Sequence, residues 1–230
     1  VLAVVELAAR FDEQANINWA QRLTENGIDV IFGIPGLKVH SKLLLIERKD
    51  GNALRYYSHI GTGNFNEKTA RQYTDFSLIT YDQTIGKDIY DVFEFLQYNY
   101  QRPNYRLLLV APHTARSGLL ELIEAEIANA RAGYRASMTL KCNNLVDKEL
   151  VLKLYEASQS GVEIRIIVRG MCSLLPGLKD ISENIRAISI VDRYLEHTRA
   201  YVFYNRGKPR YLIGSADLMT RNLDYRVEVL

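Results

Sequence analysis

The sequence predicts an α/β protein made of two tandem copies of one unit. Three observations lead there. Strand-like and helix-like segments alternate along the chain, the pattern of layered α/β folds. Landmarks of the first half recur in the same order in the second, and an internal repeat of that kind sets the architecture. The composition of the 230 residues, 47% hydrophobic and 24% charged, is ordinary globular usage. That excludes a disordered tail, a collagen-like fibre and a coiled coil, and a chain of this length buries a large core without staples.

The elements follow in order. A first strand is expected over 3–9 and a helix over 12–26, where Ala15, Trp19, Ala20 and Leu23 fall at helical spacing. Asn26-Gly27 supplies its stop. Residues 28–32 read as a buried strand. Strands over 39–47 and 53–60 flank a turn at Lys49-Asp50-Gly51-Asn52. A strand over 76–80 and a helix over 85–98 complete the first copy. Pro103 and its polar neighbours mark a domain boundary, giving domains 1–104 and 105–230. The second series opens with a strand over 107–110. A helix over 117–131 follows, with Ser117 as cap and Gly133 as end. Then come a strand over 138–141, a helix over 147–159, and strands over 163–168, 187–191, 200–204 and 211–214. The chain opens on Val1 inside an apolar run and stops in strand-like sequence at Val227-Glu228-Val229-Leu230, so a piece of something longer is expected.

Composition narrows the function classes. With 29 basic and 27 acidic residues the net charge is +2, which gives no bulk attraction to nucleic acid. No apolar run reaches the roughly 18 residues of a membrane span, and no signal peptide opens the chain. Cys142 and Cys172 are too few for a disulfide scaffold and match no zinc spacing. They read as reduced thiols of a cytosolic protein. No phosphate-binding loop of the Gly-x4-Gly-Lys-Ser/Thr type occurs; the nearest approach has Glu67 where the second glycine belongs.

The repeat carries the chemistry. Asp12 and Asp147 each precede a helix that ends at Gly27 and Gly161. Val39-His40-Ser41-Lys42 and Glu196-His197-Thr198-Arg199 each place a His-x-basic triplet at a strand. Gly61-Thr62-Gly63-Asn64 and Gly214-Ser215-Ala216-Asp217 follow as small polar loops. Thr74-Asp75-Phe76-Ser77-Leu78 and Leu223-Asp224-Tyr225-Arg226-Val227 close the series. Two copies facing each other across a pseudo-twofold axis bring both histidines to one cleft. One imidazole attacking phosphorus while a second histidine serves as acid or base fits a phosphoryl or phosphodiester site. His40 is the leading nucleophile. Lys42, two residues on, shares its face and neutralises the phosphate in transfer. Arg199 stands in the same relation to His197, with a planar fork suited to phosphate oxygens. Asn64 and Asn66 offer donors to phosphate, or cap their loop. Arg10 and Arg169 sit just after strands, where open α/β sheets place ligands. Tyr73 is placed to stack on a base or bond a phosphate. His59 and His113 lack counterparts and read as structural or surface residues.

Several stretches resemble the catalytic part of bacterial polyphosphate kinases of the type related to phospholipase D. They are Arg10-Phe11-Asp12-Glu13, Lys38-Val39-His40-Ser41-Lys42 and Gly61-Thr62-Gly63-Asn64-Phe65-Asn66-Glu67-Lys68-Thr69-Ala70-Arg71 in the first half. In the second half they are Asn143-Asn144-Leu145-Val146-Asp147, Val168-Arg169-Gly170-Met171-Cys172-Ser173 and 188–197. The resemblance covers nearly the whole chain and implies two tandem phospholipase D-like domains. It further implies reversible transfer of the ATP γ-phosphate to inorganic polyphosphate, with His40 phosphorylated. His197 is then the second catalytic histidine, as proton donor or ATP contact. Tyr73 and Arg169 match ATP-binding positions, and Arg10 matches a position at a magnesium site. A guanidinium has no lone pair for a cation, so Arg10 is expected on phosphate oxygens that Mg2+ also touches. The resemblance implies ATP/ADP and polyphosphate as partners, a homo-oligomer, and a cytoplasmic location with peripheral membrane attachment left open. The phospholipase D pattern has an aspartate after His-x-Lys; Glu47 and Asn205 stand near those places here, which favours the kinase branch over lipid hydrolysis. A phosphodiesterase of the phospholipase D type and an inactive polyanion-binding module remain the alternatives.

Overall fold

A computed structural model describes residues 1–7 and 13–230. In chain order its elements are β1 (Leu2–Val4), α1 (Glu13–Glu25), β2 (Asp29–Ile31), β3 (Lys38–Val39), β4 (Lys42–Asp50), β5 (Ala53–Gly61), α2 (Glu67–Ala70), β6 (Tyr73–Thr74), β7 (Ser77–Thr80), α3 (Gln83–Gln97) and β8 (Val110–Ala111). Then follow α4 (Ala115–Arg131), β9 (Ser137–Cys142), α5 (Lys148–Gln159), β10 (Glu163–Val168), β11 (Ile185–Ile188), β12 (Leu195–Glu196), β13 (Ala200–Phe203), β14 (Arg210–Ile213), α6 (Thr220–Asp224) and β15 (Arg226–Val229). The expected α/β class holds.

The second half is built on a five-stranded sheet of order β11-β10-β9-β13-β14. Its strands β9 and β10 alternate buried and open positions, and their inward residues Met138, Leu140, Ile164 and Ile166 pack with Leu119, Ile123 and Ile127 of α4 and Leu150 and Leu154 of α5. Each such side chain contributes about 1.5–3 kcal/mol when fully buried. The helices have local signals. Asp147 caps α5 by accepting from the Leu150 amide at 3.2 Å, and Asp82 caps α3 through the Thr84 and Ile85 amides. Gly27, Gly133 and Gly161 carry the left-handed φ that ends a helix.

The second core belongs to both halves. Ile89, Val92 and Phe95 of α3 pack with Ile60, Val110 and, from the end of the chain, Val227 and Val229. Strand β15 runs parallel to β3 and antiparallel to β8. Strand β12 likewise pairs with β6, Leu195 opposite Tyr73. Chain segments 120–190 residues apart are thus stitched side by side, and the stitches lie beside both histidines.

Several expectations need correction. The strand expected over 39–47 breaks at His40-Ser41: β3 pairs with β15 and β4 with β5. The amides of His40 and Ser41 both donate to the Val227 carbonyl at 3.0 Å, so the chain changes sheets there. Ser117 does not cap α4. The helix starts at Ala115, and the hydroxyl of Thr114 at its head accepts from the Val110 amide instead. Trp19 is 56% exposed, with Arg22 over its ring, and Ala20 is the buried residue of α1. The 28–32 strand is not buried: Phe32 is 55% exposed. The strand expected over 187–191 ends at Ile188. β1 ends at Val4, and the rest of its expected span includes residues 8–9, outside the described residues, as are Arg10 and Asp12.

Candidate active site

The sheet change at His40 turns its side chain toward β15. Nδ1 of His40 lies 2.8 Å from Oε2 of Glu228, whose side chain is fully buried. Burial lowers the pKa of the imidazole, Glu228 opposes this, and Lys42 and Arg199 add to the lowering. The ring is therefore neutral near pH 7. The carboxylate fixes the proton on Nδ1, and Nε2 has no hydrogen-bond partner among the described residues.

Lys42 begins β4 and is buried, its ammonium donating to the carbonyl of His40. Burial pushes it down to about 7; Glu228 pulls the other way, and Arg199 and Arg226 lower it further.

The second histidine repeats the arrangement with the halves exchanged. Nδ1 of His197 lies 2.9 Å from Asp75 Oδ1 and 3.1 Å from Oδ2. Burial alone would raise the Asp75 pKa, but its hydrogen bonds from His197 and from the Thr62 hydroxyl, at 2.5 Å, hold it below the usual range. Burial lowers His197 as well. Its Nε2, unlike that of His40, is occupied: Arg199 Nη1 lies 2.9 Å away and also donates to the His197 carbonyl. The far side of the same guanidinium meets Asp217 at 3.3 Å.

Of the expected site residues, the structure brings His40, Lys42, His197 and Arg199 together, since Lys42 and Arg199 act on both imidazoles. Tyr73 joins them, its ring centroid 5.1 Å from that of His197. Arg169 joins through Asn143, whose side-chain oxygen takes the Arg169 Nε–H while its Nδ2 donates to the His197 carbonyl at 3.1 Å. Asn64 is exposed and its side chain has no partner among the described residues. Asn66 caps α2 through the Lys68 and Thr69 amides. His59 packs on Phe65, and His113 packs on Phe95 and Tyr105, as structural residues would. Arg10 lies outside the described residues.

Sequence reasoning missed Glu228 and matched Asp75 to the wrong partner. Asp224 pairs with Arg116 at 2.8 Å, not with a histidine. The spacing held the signal: Asp75 stands eleven positions after Asn64, and Glu228 eleven after Asp217. Asn143 was also missed as a link, since nothing local distinguishes it.

Among the described residues no group of three or more His, Cys, Asp or Glu side chains gathers as a cation cage. The carboxylates at the site are engaged, Glu228 and Asp75 by imidazole and Asp217 by Arg199, and the rest of its charge is basic. These residues do not fit a magnesium ion held by protein ligands alone.

Comparison with known proteins adds two family matches. Residues 1–102 match the model for polyphosphate kinase C-terminal domain 1, and residues 108–230 that for polyphosphate kinase C-terminal domain 2. The chain belongs to the polyphosphate kinase family. It is 58% identical over 229 residues to the polyphosphate kinase of Salmonella typhimurium and 56% identical to that of Vibrio parahaemolyticus, in each case covering 100% of this chain and 33% of the relative. It therefore spans about a third of the length of these curated relatives. The crystal structure of polyphosphate kinase from Porphyromonas gingivalis superposes with a TM-score of 0.87 at 42% identity, covering 100% of this chain and 37% of that one. The expected tandem α/β fold stands, and a phospholipase D-like arrangement of its two units is consistent with it. Among the described residues no helix is long and apolar enough to cross a membrane.

Proposed function

We propose that this chain carries the catalytic centre of an enzyme that moves the γ-phosphoryl group of ATP reversibly onto inorganic polyphosphate through a phosphohistidine at His40. One observation supports this above the others: Nδ1 of His40 is held by buried Glu228 while Nε2 has no partner among the described residues. In this reading the Nε2 lone pair attacks the γ-phosphorus. A P–N bond forms, the bond to the bridging oxygen breaks, and ADP leaves with the electron pair. The terminal oxygen of polyphosphate then attacks the same phosphorus, and the P–N electron pair returns to Nε2. The attacking oxygen of polyphosphate is already anionic and the oxygen leaving with ADP is stable as an anion near neutral pH, so neither step needs a proton donor of high pKa. The Arg199 charge, with that of Lys42 when protonated, offsets the charge on the transferring group, where preorganised dipoles and cations count most. Arg169 and Tyr73 would hold the nucleotide beside His197. Mg2+ bound to the nucleotide would offset the charge of its phosphates. A homo-oligomer in the cytoplasm, with peripheral membrane attachment open, completes the proposal. Domains 1–104 and 105–230 remain its units.

The test is phosphoenzyme trapping. The full-length protein is incubated with magnesium and γ-labelled ATP, then probed for acid-labile, base-stable label, with His40→Ala alongside. Label on the wild type that disappears in the variant is expected. Label that persists in His40→Ala would move the nucleophile to His197. A phosphodiesterase would pass the label to water or an alcohol, whereas polyphosphate should become labelled here.

A further inference from the structure

Glu228 has two oxygens, and His40 uses one. The other, Oε1, accepts from Nδ2 of Asn222 at 2.6 Å. Asn222 sits in α6 and is 1% exposed, and its own Oδ1 is buried without a partner among the described residues. An amide in such a place carries a desolvation cost that a leucine of similar volume would not. Its placement is rigid. Thr220 at the head of α6 donates to Asp147 at 2.6 Å, and Asp224 at its foot pairs with Arg116 at 2.8 Å. Helix α6 is thus tied to α4 and α5, and it holds Asn222 against Glu228 from outside the strand that bears the carboxylate. The other dyad has a similar third member from its own half, the Thr62 hydroxyl on Asp75. Ser215, the repeat counterpart of Thr62, does not reach Glu228; its hydroxyl takes the Val229 amide at 3.3 Å.

We propose that Asn222 is a positioning residue for phosphoryl transfer: its amide donor anchors the second oxygen of Glu228, and Glu228 in turn orients His40 and holds its proton on Nδ1. This rests on the assignment of His40 as the group phosphorylated. The groups facing the pair are Lys42 from β4, Arg199 beside His197, Arg226 on β15 and Tyr201 on β13. Without the amide donor the carboxylate keeps only the hydrogen bond to His40, and a carboxylate that loses a donor draws more strongly on the proton it shares. The proton is shared with His40, so the change appears in the pair as a whole.

The experiment uses the full-length protein with Asn222→Ala and Asn222→Asp. The His40 ring is titrated by NMR without nucleotide, its signal assigned by loss in His40→Gln. Phosphoenzyme formation is then followed against pH in single turnover. Proton uptake by the pair should move up by about one pH unit in Asn222→Ala and further in Asn222→Asp, where a second carboxylate faces the first. The acid limb of phosphoenzyme formation should move with it. The rate at pH 8 should fall about ten- to a hundred-fold, as when a hydrogen-bond partner behind a catalytic ligand is lost. A rate loss equal at every pH, with the ring titration unmoved, would overturn the proposal and leave Asn222 a packing residue. If Asn222→Ala does not fold, the near-isosteric Asn222→Asp decides. A shifted titration in a protein that takes no label on His40 would keep the Asn222–Glu228–His40 coupling and sink the function assigned to it.

Discussion

Lys42→Met should make the protein more stable at neutral pH, by an amount that shrinks as pH rises. In the unfolded chain the lysine titrates at 10.5; burial in the folded protein pushes it down to about 7. Between those values the unfolded chain binds a proton that the folded protein does not, so stability rises with pH. The penalty is fully present below about pH 7 and is relieved by about pH 10.5. One unit is worth about 1.36 kcal/mol, so the full penalty is about 5 kcal/mol. Methionine fills the space without charge but forgoes the hydrogen bond to the His40 carbonyl, worth about 1–3 kcal/mol when it leaves a buried acceptor unpaired. The variant should gain about 2–4 kcal/mol at pH 7, and the gain should fall by about 1.4 kcal/mol per pH unit toward pH 10. Urea unfolding of both proteins at half-unit steps from pH 6.5 to 10 measures this. Phosphoryl transfer should be lost in the same variant. A stability difference that stays flat over that range would mean Lys42 remains charged throughout, and the reasoning would be wrong.

Two further substitutions probe the second dyad and the frame. A Cβ on Gly63 would stand 2.2 Å from Oδ2 of Asp75, so Gly63→Ala should displace that carboxylate from His197. Activity should fall about ten- to a hundred-fold with little change in melting temperature, and a wild-type rate would refute the coupling. Arg116 joins Asp147, Glu149 and Asp224 at 2.8–2.9 Å; Arg116→Ala leaves Asp147, whose side chain is 2% exposed, without its cation. A loss of about 3 kcal/mol or more is expected in chemical denaturation.

Sequence legibility divided along the range of the forces involved. Helices α1 and α5 were legible because their signals are local: Asp147 at the head of α5, Gly27 and Gly161 at the ends. The two His-x-basic triplets were legible because the repeat aligned them. Strands β6 and β12 were not, since two residues form a strand there only by pairing with a partner more than 120 positions away. The apolar residues along 39–47 could not reveal the break at His40, because they mark a strand but not which sheet its backbone joins. Glu228 hid for the same reason. Its role depends on β15 crossing into the first half, and the equal spacing from Asn64 and Asp217 was the trace of it.

The repeat makes two sites of one sequence pattern, and one substitution separates their chemistry. Two residues after His40 stands a lysine, a point charge on a flexible stem, which turns back to the carbonyl of its own histidine and leaves Nε2 without a partner among the described residues. Two residues after His197 stands an arginine, whose fork spans that carbonyl, the Nε2 atom and Asp217 at once. An imidazole whose second nitrogen already accepts from a guanidinium must give up that bond before it can attack phosphorus. On the proposed reading this asymmetry makes His40 the better nucleophile, with His197 beside Arg199 and Tyr73. Neither histidine works from its own half alone, because each takes its carboxylate from the other.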